Sequence, residues 1–173
     1  MASAALMKKG KGVVRSVLFV CLGNICRSPL AEAALRAEAE RAGVAVEVDS
    51  AGTGDWHLGH PPDPRAAATA MRNGIDISHL RARQVTPEDF RRFDEIVALD
   101  AQNFADLKAM QPPDGKARLS MLLDHVDGRG GEAVADPYYG DSSHFDETWV
   151  DVAAGARAMV DRLKRDATAE KRG

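Results

Sequence analysis

Two residues capable of phosphate chemistry stand near the start of the chain, Cys21 and Arg27, with five residues between them and Ser28 directly after. A thiolate is a strong nucleophile. A planar guanidinium can hold two phosphate oxygens and stabilise the charge on a transferring phosphoryl group. The spacing therefore indicates covalent phosphoryl transfer, against the alternative that Cys21 is a buried, inert thiol.

The residues on either side predict that this motif joins a strand to a helix. The apolar, β-rich run 17–20 is typical of a buried strand in a parallel sheet. Ser28 is a favoured N-cap and Pro29 a favoured first helical residue, so a helix is expected to begin there and end near Gly43. Ligands of open α/β sheets bind at the carboxyl ends of strands, and helix N-termini attract anions. The junction is therefore predicted to bind phosphate and to favour a thiolate.

The loop between strand and helix has the composition of an anion cradle. Gly23 and Asn24 allow the backbone to curl so that successive N–H groups converge on one anion. Asn24 also tolerates a left-handed backbone better than most residues. The residues expected to contact the phosphate are Leu22, Gly23, Asn24, Ile25, Cys26, Arg27 and Ser28.

The rest of the chain alternates between strand and helix patterns. Further strands are predicted at 44–48, 95–99 and, more weakly, 117–121, with a loop at 50–64; helices are predicted at 63–73, at 86–92, after Asp100 as cap, and at 145–165. Strands that alternate with helices predict an α/β fold with a parallel sheet.

Composition limits the classes of protein that fit. A chain of 173 residues with 45% apolar and 28% charged residues is typical of one soluble globular domain. The net charge of -3 argues against a general nucleic-acid binder. No stretch approaches the roughly 20 apolar residues of a membrane span, so no membrane insertion is expected. Only two cysteines, both in the loop, indicate a reducing, cytoplasmic location.

The run from Val20 through Arg27 to Glu32 resembles the signature of the low-molecular-weight protein tyrosine phosphatases. The resemblance covers about residues 15 to 165. It continues through Asp49-Ser50-Ala51-Gly52, Trp56, Pro62-Asp63-Pro64-Arg65, Gly74-Ile75 and Ser78-His79, and ends in Asp136-Pro137-Tyr138-Tyr139-Gly140. It implies a single-domain, four-stranded parallel sheet flanked by helices, of the flavodoxin-like or phosphotyrosine protein phosphatase I-like kind. The expected division is a flexible extension at 1–15, a phosphatase domain at 16–168 and a tail at 169–173.

The resemblance also implies the catalytic roles. Cys21 would be the nucleophile and Arg27 the ligand of the phosphate and transition state. Asp136 would be the general acid and later the general base, a role worth about 10² to 10⁴ in rate. On its own, an Asp-Pro pair is more often only a turn. Trp56, Tyr138 and Tyr139 would form pocket walls that hold an aryl group by stacking.

Supporting roles follow from the same resemblance. Asn24 would be held by the side chains of Ser28, Ser50 and His79, and Ser28 would also donate a hydrogen bond to the Cys21 thiolate. Cys26 would form a reversible disulfide with the nucleophile; the alternative is that it only fills space in the loop.

The family requires no metal or other cofactor. An acid- and histidine-containing stretch is interpreted as charged loop rather than a metal site, since ligand spacing on defined elements is not evident; it contains Asp124, His125, Asp127, Asp141, His144 and Asp146. The expected partners are a phosphotyrosine-containing protein or a small aryl phosphate, with no nucleic acid. The expected assembly is a monomer or weak dimer.

Three alternatives share part of this pattern. A thioredoxin-coupled arsenate reductase needs further cysteines late in the chain, and the sequence contains none. A protein arginine phosphatase carries Thr where this chain has Ile25, and lacks the tyrosine pair. A non-catalytic phosphate-binding or redox-sensing module would not require Cys21, Arg27 and Asp136 together.

Overall fold

A four-stranded parallel sheet places the Cys21 loop at the carboxyl end of an inner strand. The computed structural model describes residues 15–172. The strands are β1 (Arg15–Cys21), β2 (Val46–Gly52), β3 (Glu95–Ala98) and β4 (Arg118–Met121), in the order β2-β1-β3-β4. The order reverses beside β1, and such a reversal opens a crevice at the carboxyl ends of the strands. The loop that follows β1 lies in that crevice.

Helices cover both faces of the sheet. On one face lie α1 (Arg27–Ala42), α2 (Pro64–Arg72) and α5 (Ser142–Arg172); on the other lie α3 (Pro87–Arg92) and α4 (Ala101–Met110). A short 3-10 helix, Leu122–His125, follows β4. Side chains of β1 alternate between the two faces, Val17 and Phe19 on the first, Leu18 and Val20 on the second, and all four are fully buried. The predicted α/β fold with a buried first strand is therefore confirmed.

The predicted bounds of the second strand and of the last helix were wrong. The second strand runs to Gly52 rather than ending at residue 48, because it pairs with β1 along its whole length, from Arg15 opposite Val46 to Cys21 opposite Gly52. The last helix begins at Ser142 and runs to Arg172, rather than spanning 145–165. Residues 1–14 of the expected N-terminal extension lie outside the described part of the chain. Within residues 15–172, no helix is long and apolar enough to span a bilayer.

Ser28 is not the N-cap of the first helix, as the sequence pattern predicted. Helix α1 begins two residues earlier, with Cys26 in the cap position and no side-chain capping bond. The Ser28 hydroxyl points instead toward Cys21, with Oγ 3.0 Å from Sγ. A residue type that favours caps here contacts a side chain at the end of β1 instead.

Candidate active site

A cavity of about 420 Å³ opens at the carboxyl end of β1. Its floor is formed by the loop that joins β1 to α1, and its walls come from two more distant segments of the chain. The lining residues are Cys21, Leu22, Gly23, Ile25, Cys26, Arg27, Trp56, His57, Asp136, Tyr138 and Tyr139. Most of the predicted site residues therefore meet around one space.

Backbone hydrogen bonds turn the loop carbonyls away from this cavity. The carbonyl oxygens of Cys21, Leu22 and Ile25 accept bonds of 2.8–2.9 Å from neighbouring backbone N–H groups, those of Thr53, Gly54 and Asp63. A peptide is planar and trans, so the N–H that follows each carbonyl points the opposite way. The N–H groups of Leu22, Gly23 and Cys26 therefore face the cavity, where an anion would accept from them.

Close packing against β2 holds the loop in this shape. A Cβ at Gly52 would lie 2.7 Å from the carbonyl oxygen of Leu22, closer than real contacts allow. Glycine at the end of β2 is therefore required for the loop to approach the strand.

The Cys21 thiol lies at the base of the cavity and is 3% exposed as a residue. Its Sγ is 3.0 Å from the Ser28 hydroxyl and accepts a contact of 3.3 Å from the backbone N–H of Asn24. The Ser28 hydroxyl and the Asn24 N–H are therefore the two polar groups placed against the Cys21 sulfur.

Asn24 holds the centre of the loop. Its φ is 59°, the left-handed conformation that the sequence analysis anticipated. The side-chain amide nitrogen donates to the hydroxyl oxygens of Ser28 and Ser50 at 2.8 and 3.0 Å. Its Oδ1 accepts from the backbone N–H of Arg83 at 2.9 Å.

His79 does not take part in this network, so its predicted supporting role was wrong. The residue is exposed, and the Asn24 oxygen bonds to the main chain of Arg83 instead. The path of the chain explains this difference. Gln84, and not His79, pairs with Gly52 beside the loop, so the neighbouring Arg83 is the residue whose backbone reaches Asn24.

Glu32 extends the network into the core and was missed by the sequence analysis. Its Oε1 accepts a 2.7 Å hydrogen bond from the Ser50 hydroxyl. A hydroxyl that donates its proton to Glu32 can only accept from Asn24. Burial raises the pKa of Glu32, although Ser50 and Arg36 act in the opposite direction. A glutamate on the buried face of α1 was the available signal.

Contacts within the protein fix the orientation of the Arg27 guanidinium. Its Nη1 donates to Asp100 Oδ2 at 2.8 Å and to the Val134 carbonyl at 2.9 Å, and Nη2 lies 3.6 Å from Asp136 Oδ2. Burial works to lower the pKa of Arg27, but Cys21, Asp100 and Asp136 outweigh it and the pKa is raised.

Asp100 therefore has a second partner beyond the predicted cap. It does cap α4, through a 2.7 Å bond from the N–H of Asn103. It also orients Arg27, which was not foreseen. The signal was present in the sequence, because Asp100 directly follows the strand expected at 95–99, and strand ends in a parallel sheet meet at one edge.

Asp136 reaches the cavity from the segment before α5. Its carboxylate is 45% exposed, and Oδ1 accepts a 3.1 Å bond from the N–H of Tyr138. The rings of Tyr138 and Tyr139 meet edge to face at 4.9 Å. Trp56 and Tyr139 are 67% and 95% exposed, so they stand on the rim of the cavity rather than in the core.

His57 is a further wall residue that the predicted site omitted. Its ring lies 6.5 Å from that of Tyr138, and a Cβ at Gly23 would approach it to 3.0 Å. It thus lies against the loop at Gly23.

Cys26 is buried and free, as is Cys21. Burial, with the nearby charges of Asp63, Cys21 and Asp136, raises the pKa of the Cys26 thiol well above its ordinary value. Cys26 is therefore a protonated thiol at neutral pH. Among the described residues, no group of three or more His, Cys, Asp or Glu is arranged to hold a metal ion.

Comparison with known proteins gives consistent matches along nearly the whole chain. The family model for low molecular weight phosphotyrosine protein phosphatase matches residues 16–169. A low molecular weight phosphotyrosine protein phosphatase of Schizosaccharomyces pombe is 42% identical over 137 residues, which covers 78% of this chain and 87% of that protein.

Solved structures agree. The crystal structure of YfkJ from Bacillus subtilis matches with a TM-score of 0.82 and 39% identity, covering 90% of this chain and 98% of that one. The crystal structure of a Drosophila arginine phosphatase matches with a TM-score of 0.81 but only 28% identity, covering 86% and 97%. Both share the fold; the first is closer in sequence.

Proposed function

The chain belongs to the low molecular weight phosphotyrosine protein phosphatase family, and we propose that Cys21, Arg27 and Asp136 perform its protein-tyrosine phosphatase reaction through a cysteinyl-phosphate intermediate. The observation that carries this assignment of roles is the convergence of the three side chains on one cavity whose floor is the loop between β1 and α1.

In the first step the Cys21 thiolate attacks phosphorus and forms the S–P bond. The bond from phosphorus to the tyrosyl oxygen breaks, and Asp136 delivers its proton to that oxygen so that a neutral phenol leaves. Arg27 and the loop N–H groups hold the equatorial oxygens, whose charge is greatest at the transition state. Ser28 stabilises the thiolate at 3.0 Å before attack.

In the second step a water molecule attacks the phosphorus of the intermediate. The Asp136 carboxylate, now deprotonated, removes a proton from that water as its oxygen bonds to phosphorus. The S–P bond breaks, inorganic phosphate leaves, and Cys21 regains its thiolate. The same carboxylate thus acts as acid and then base, and no group outside the chain is consumed except water.

The walls of the cavity favour an aryl ester. Tyr138, His57 and Trp56 surround the entrance with flat rings, which suits a phenyl group in transit to the loop. Ile25 adds an apolar side chain to the cavity lining, at the position where the resemblance implies Thr in an arginine phosphatase. These features support phosphotyrosine over phosphoarginine as the substrate.

Both steps require Cys21 as a free thiol or thiolate. We therefore place the enzyme in a reducing compartment, the cytoplasm, where such thiols persist. We propose that it works as a monomer or weak dimer, because the three catalytic side chains and the cavity walls all come from one chain.

The roles are tested by hydrolysis of p-nitrophenyl phosphate and phosphotyrosine peptides, with a chelator present. We expect turnover by the wild type and none by Cys21→Ser. Asp136→Asn should lower kcat by about 10² or more with little change in phosphate binding. Turnover by Cys21→Ser would contradict the nucleophile assignment.

The substrate class is tested by comparing phosphotyrosine with phosphoarginine peptides of the same sequence. We expect the higher kcat/KM for phosphotyrosine. Faster release of phosphate from phosphoarginine would show that Ile25 and the aromatic walls do not determine the substrate.

A further inference from the structure

An arginine outside the proposed catalytic set links the phosphate-binding loop to the segment that carries Asp136. Arg65 lies in the first turn of α2, and its side chain is 37% exposed. Its guanidinium donates to the carbonyl oxygens of Tyr138 at 3.0 Å and Gly140 at 2.9 Å. The Arg65 side chain therefore binds the backbone of the segment that carries Asp136. These bonds do not depend on which side chains that segment carries.

The backbone of Tyr138 connects this contact to the general acid. Its carbonyl is held by Arg65, and its N–H donates to Asp136 Oδ1 at 3.1 Å. A further bond, from the N–H of Gly140 to the carbonyl of Pro137 at 2.8 Å, closes the turn. Arg65 thus binds the turn formed by residues 137–140, and the Tyr138 N–H of the same turn orients the Asp136 carboxylate.

The opposite side of Arg65 is fixed to the phosphate loop. Nε and Nη2 donate to the two oxygens of Asp63 at 3.0 and 2.9 Å, a paired contact. The backbone N–H of Asp63 in turn donates to the Ile25 carbonyl at 2.8 Å. The hydrogen bond from Arg65 lowers the pKa of Asp63. The carboxylate therefore stays charged at neutral pH, and the pair persists.

A planar guanidinium is needed for this set of contacts. Arg65 makes four side-chain hydrogen bonds in different directions, and its Cζ lies 4.6 Å from the centre of the Phe145 ring at the start of α5. Lysine has a single nitrogen and no plane, so it cannot hold two carbonyls and a carboxylate while stacking on a ring.

We infer that Arg65 is a positioning residue for the proposed reaction: it holds the Asp136 carboxylate in register with the phosphate loop by joining Asp63 to the backbone of Tyr138 and Gly140. The inference rests on the proposed acid role of Asp136. It assigns the Asp63–Arg65 pair a function in catalysis in addition to its structural role at the N-terminus of α2.

The consequence is measurable because a misplaced acid matters only when the leaving group needs a proton. An Arg65→Gln variant should lose about tenfold in kcat/KM with phenyl phosphate, whose leaving group is basic. With 2,4-dinitrophenyl phosphate, whose leaving group departs without protonation, the loss should be less than about twofold. kcat/KM is the right quantity, since it reports the step that breaks the P–O bond.

Arg72 supplies a matched control. It lies on the same helix and pairs with Asp146 of α5 at 2.6 Å, but it does not contact the Asp136 segment. Arg72→Gln should remove a similar ion pair. It should leave the ratio of kcat/KM for phenyl phosphate to kcat/KM for 2,4-dinitrophenyl phosphate at its wild-type value. Arg65→Lys keeps the charge without the plane and should show the same dependence as Arg65→Gln. It serves as the second variant if the glutamine protein does not fold.

Asp136→Asn separates the two proposals. If Asp136→Asn shows the leaving-group dependence and both Arg65 variants do not, the inference on Arg65 is overturned and the proposed function stands. If Asp136→Asn loses equally with both esters, the acid role itself fails. In the double variant Arg65→Gln/Asp136→Asn, we expect no loss beyond that of Asp136→Asn; additive losses would contradict action through Asp136.

Discussion

The Asp100 carboxylate accepts a 2.8 Å hydrogen bond from the Arg27 guanidinium, although the two residues lie 73 positions apart. The contact joins the first residue of α1, the helix that follows β1, to the residue that caps α4 after β3, and β1 and β3 are neighbouring strands of the sheet. Arg27 is 3% exposed, so few conformations are open to it. A guanidinium that is already oriented loses little entropy when phosphate binds, which increases affinity.

Removing Asp100 should therefore weaken phosphate binding. We expect Asp100→Ala to raise the inhibition constant of inorganic phosphate by about tenfold, because the Arg27 guanidinium loses the charged partner that orients it and keeps only its hydrogen bond to the Val134 carbonyl. Loss of the cap on α4 should also cost about 1 kcal/mol of stability. Competitive inhibition and urea denaturation measure the two effects.

Asp106→Ala is the control for this variant. Asp106 lies on the same helix and contacts only Gln102 among the described side-chain hydrogen bonds. It should leave phosphate inhibition unchanged. An Asp100→Ala protein that folds and retains wild-type inhibition would refute the orienting role.

Two substitutions at Asn24 should distinguish the contribution of its left-handed backbone conformation from that of its side-chain amide. Both Asn24→Gly and Asn24→Ala lose the bonds to Ser28 and Ser50, so both should lower kcat. Residue 24 must adopt a φ near 59° in both variants. This conformation costs alanine about 1 kcal/mol or more, because it has a Cβ atom, whereas glycine adopts it readily. We therefore expect the alanine variant to be the less stable in urea. Full activity in Asn24→Gly would show that the amide network is dispensable.

The buried Glu32 predicts a specific pH dependence of stability. Burial raises its pKa in the folded state above the ordinary value of 4.5, so the folded protein binds more protons than the unfolded chain in that window. Its contribution is present below 4.5 and is lost as pH rises through the folded pKa. The stability of Glu32→Gln relative to the wild type should therefore increase as pH rises above 4.5.

Urea denaturation of both proteins from about pH 4 to pH 8 measures this difference. Glu38→Gln, on the same helix and paired with Arg41, serves as the control for a helical carboxylate. A difference between Glu32→Gln and wild type that does not change with pH would show that the pKa is not raised.

Cys26 should matter for recovery from oxidation rather than for turnover. Its thiol is protonated at neutral pH, so Cys26→Ser should keep kcat within about twofold of the wild type. Peroxide converts the Cys21 thiolate to a sulfenic acid, and the Cys26 thiol can then displace water to form a disulfide that a dithiol reduces. Without Cys26, further peroxide produces an irreversible sulfinic acid.

Activity after peroxide and then dithiothreitol distinguishes the variants. The wild type should recover, and Cys26→Ser should not. Equal recovery of both would indicate that Cys26 only fills space in the loop, the alternative that the sequence left open.

Local features of the site were predictable because neighbouring residues impose them. The run from Val17 to Ser28 contains the strand, the loop and the helix start, so its apolar pattern and its Gly-Asn pair were enough to place Cys21 at a strand end and Asn24 in a left-handed conformation. Where two tendencies competed, the pattern misled. Ser28 favours a cap in isolation, but in the folded loop its hydroxyl contacts the Asn24 amide and the Cys21 sulfur.

Contacts between distant segments were not predictable in the same way. His79 was expected beside Asn24, yet the path of the chain brings the backbone of Arg83 there. Glu32, Asp100 and Arg65 each have ordinary local roles, on a helix face, at a cap and after an Asp-Pro pair. Only the packed structure brings each of them to a residue of the site.

The sequence by itself determined which groups stand together after the first strand: a thiol, a guanidinium and a curled loop within eight residues, since these depend on covalent neighbours and local backbone preferences. The tertiary structure decided how that chemistry is held. Strand order places Asp100 against Arg27, and packing of α2 against α5 sets Arg65 on the turn that carries Asp136. Those relationships depend on contacts between segments far apart in the chain, which no local pattern encodes.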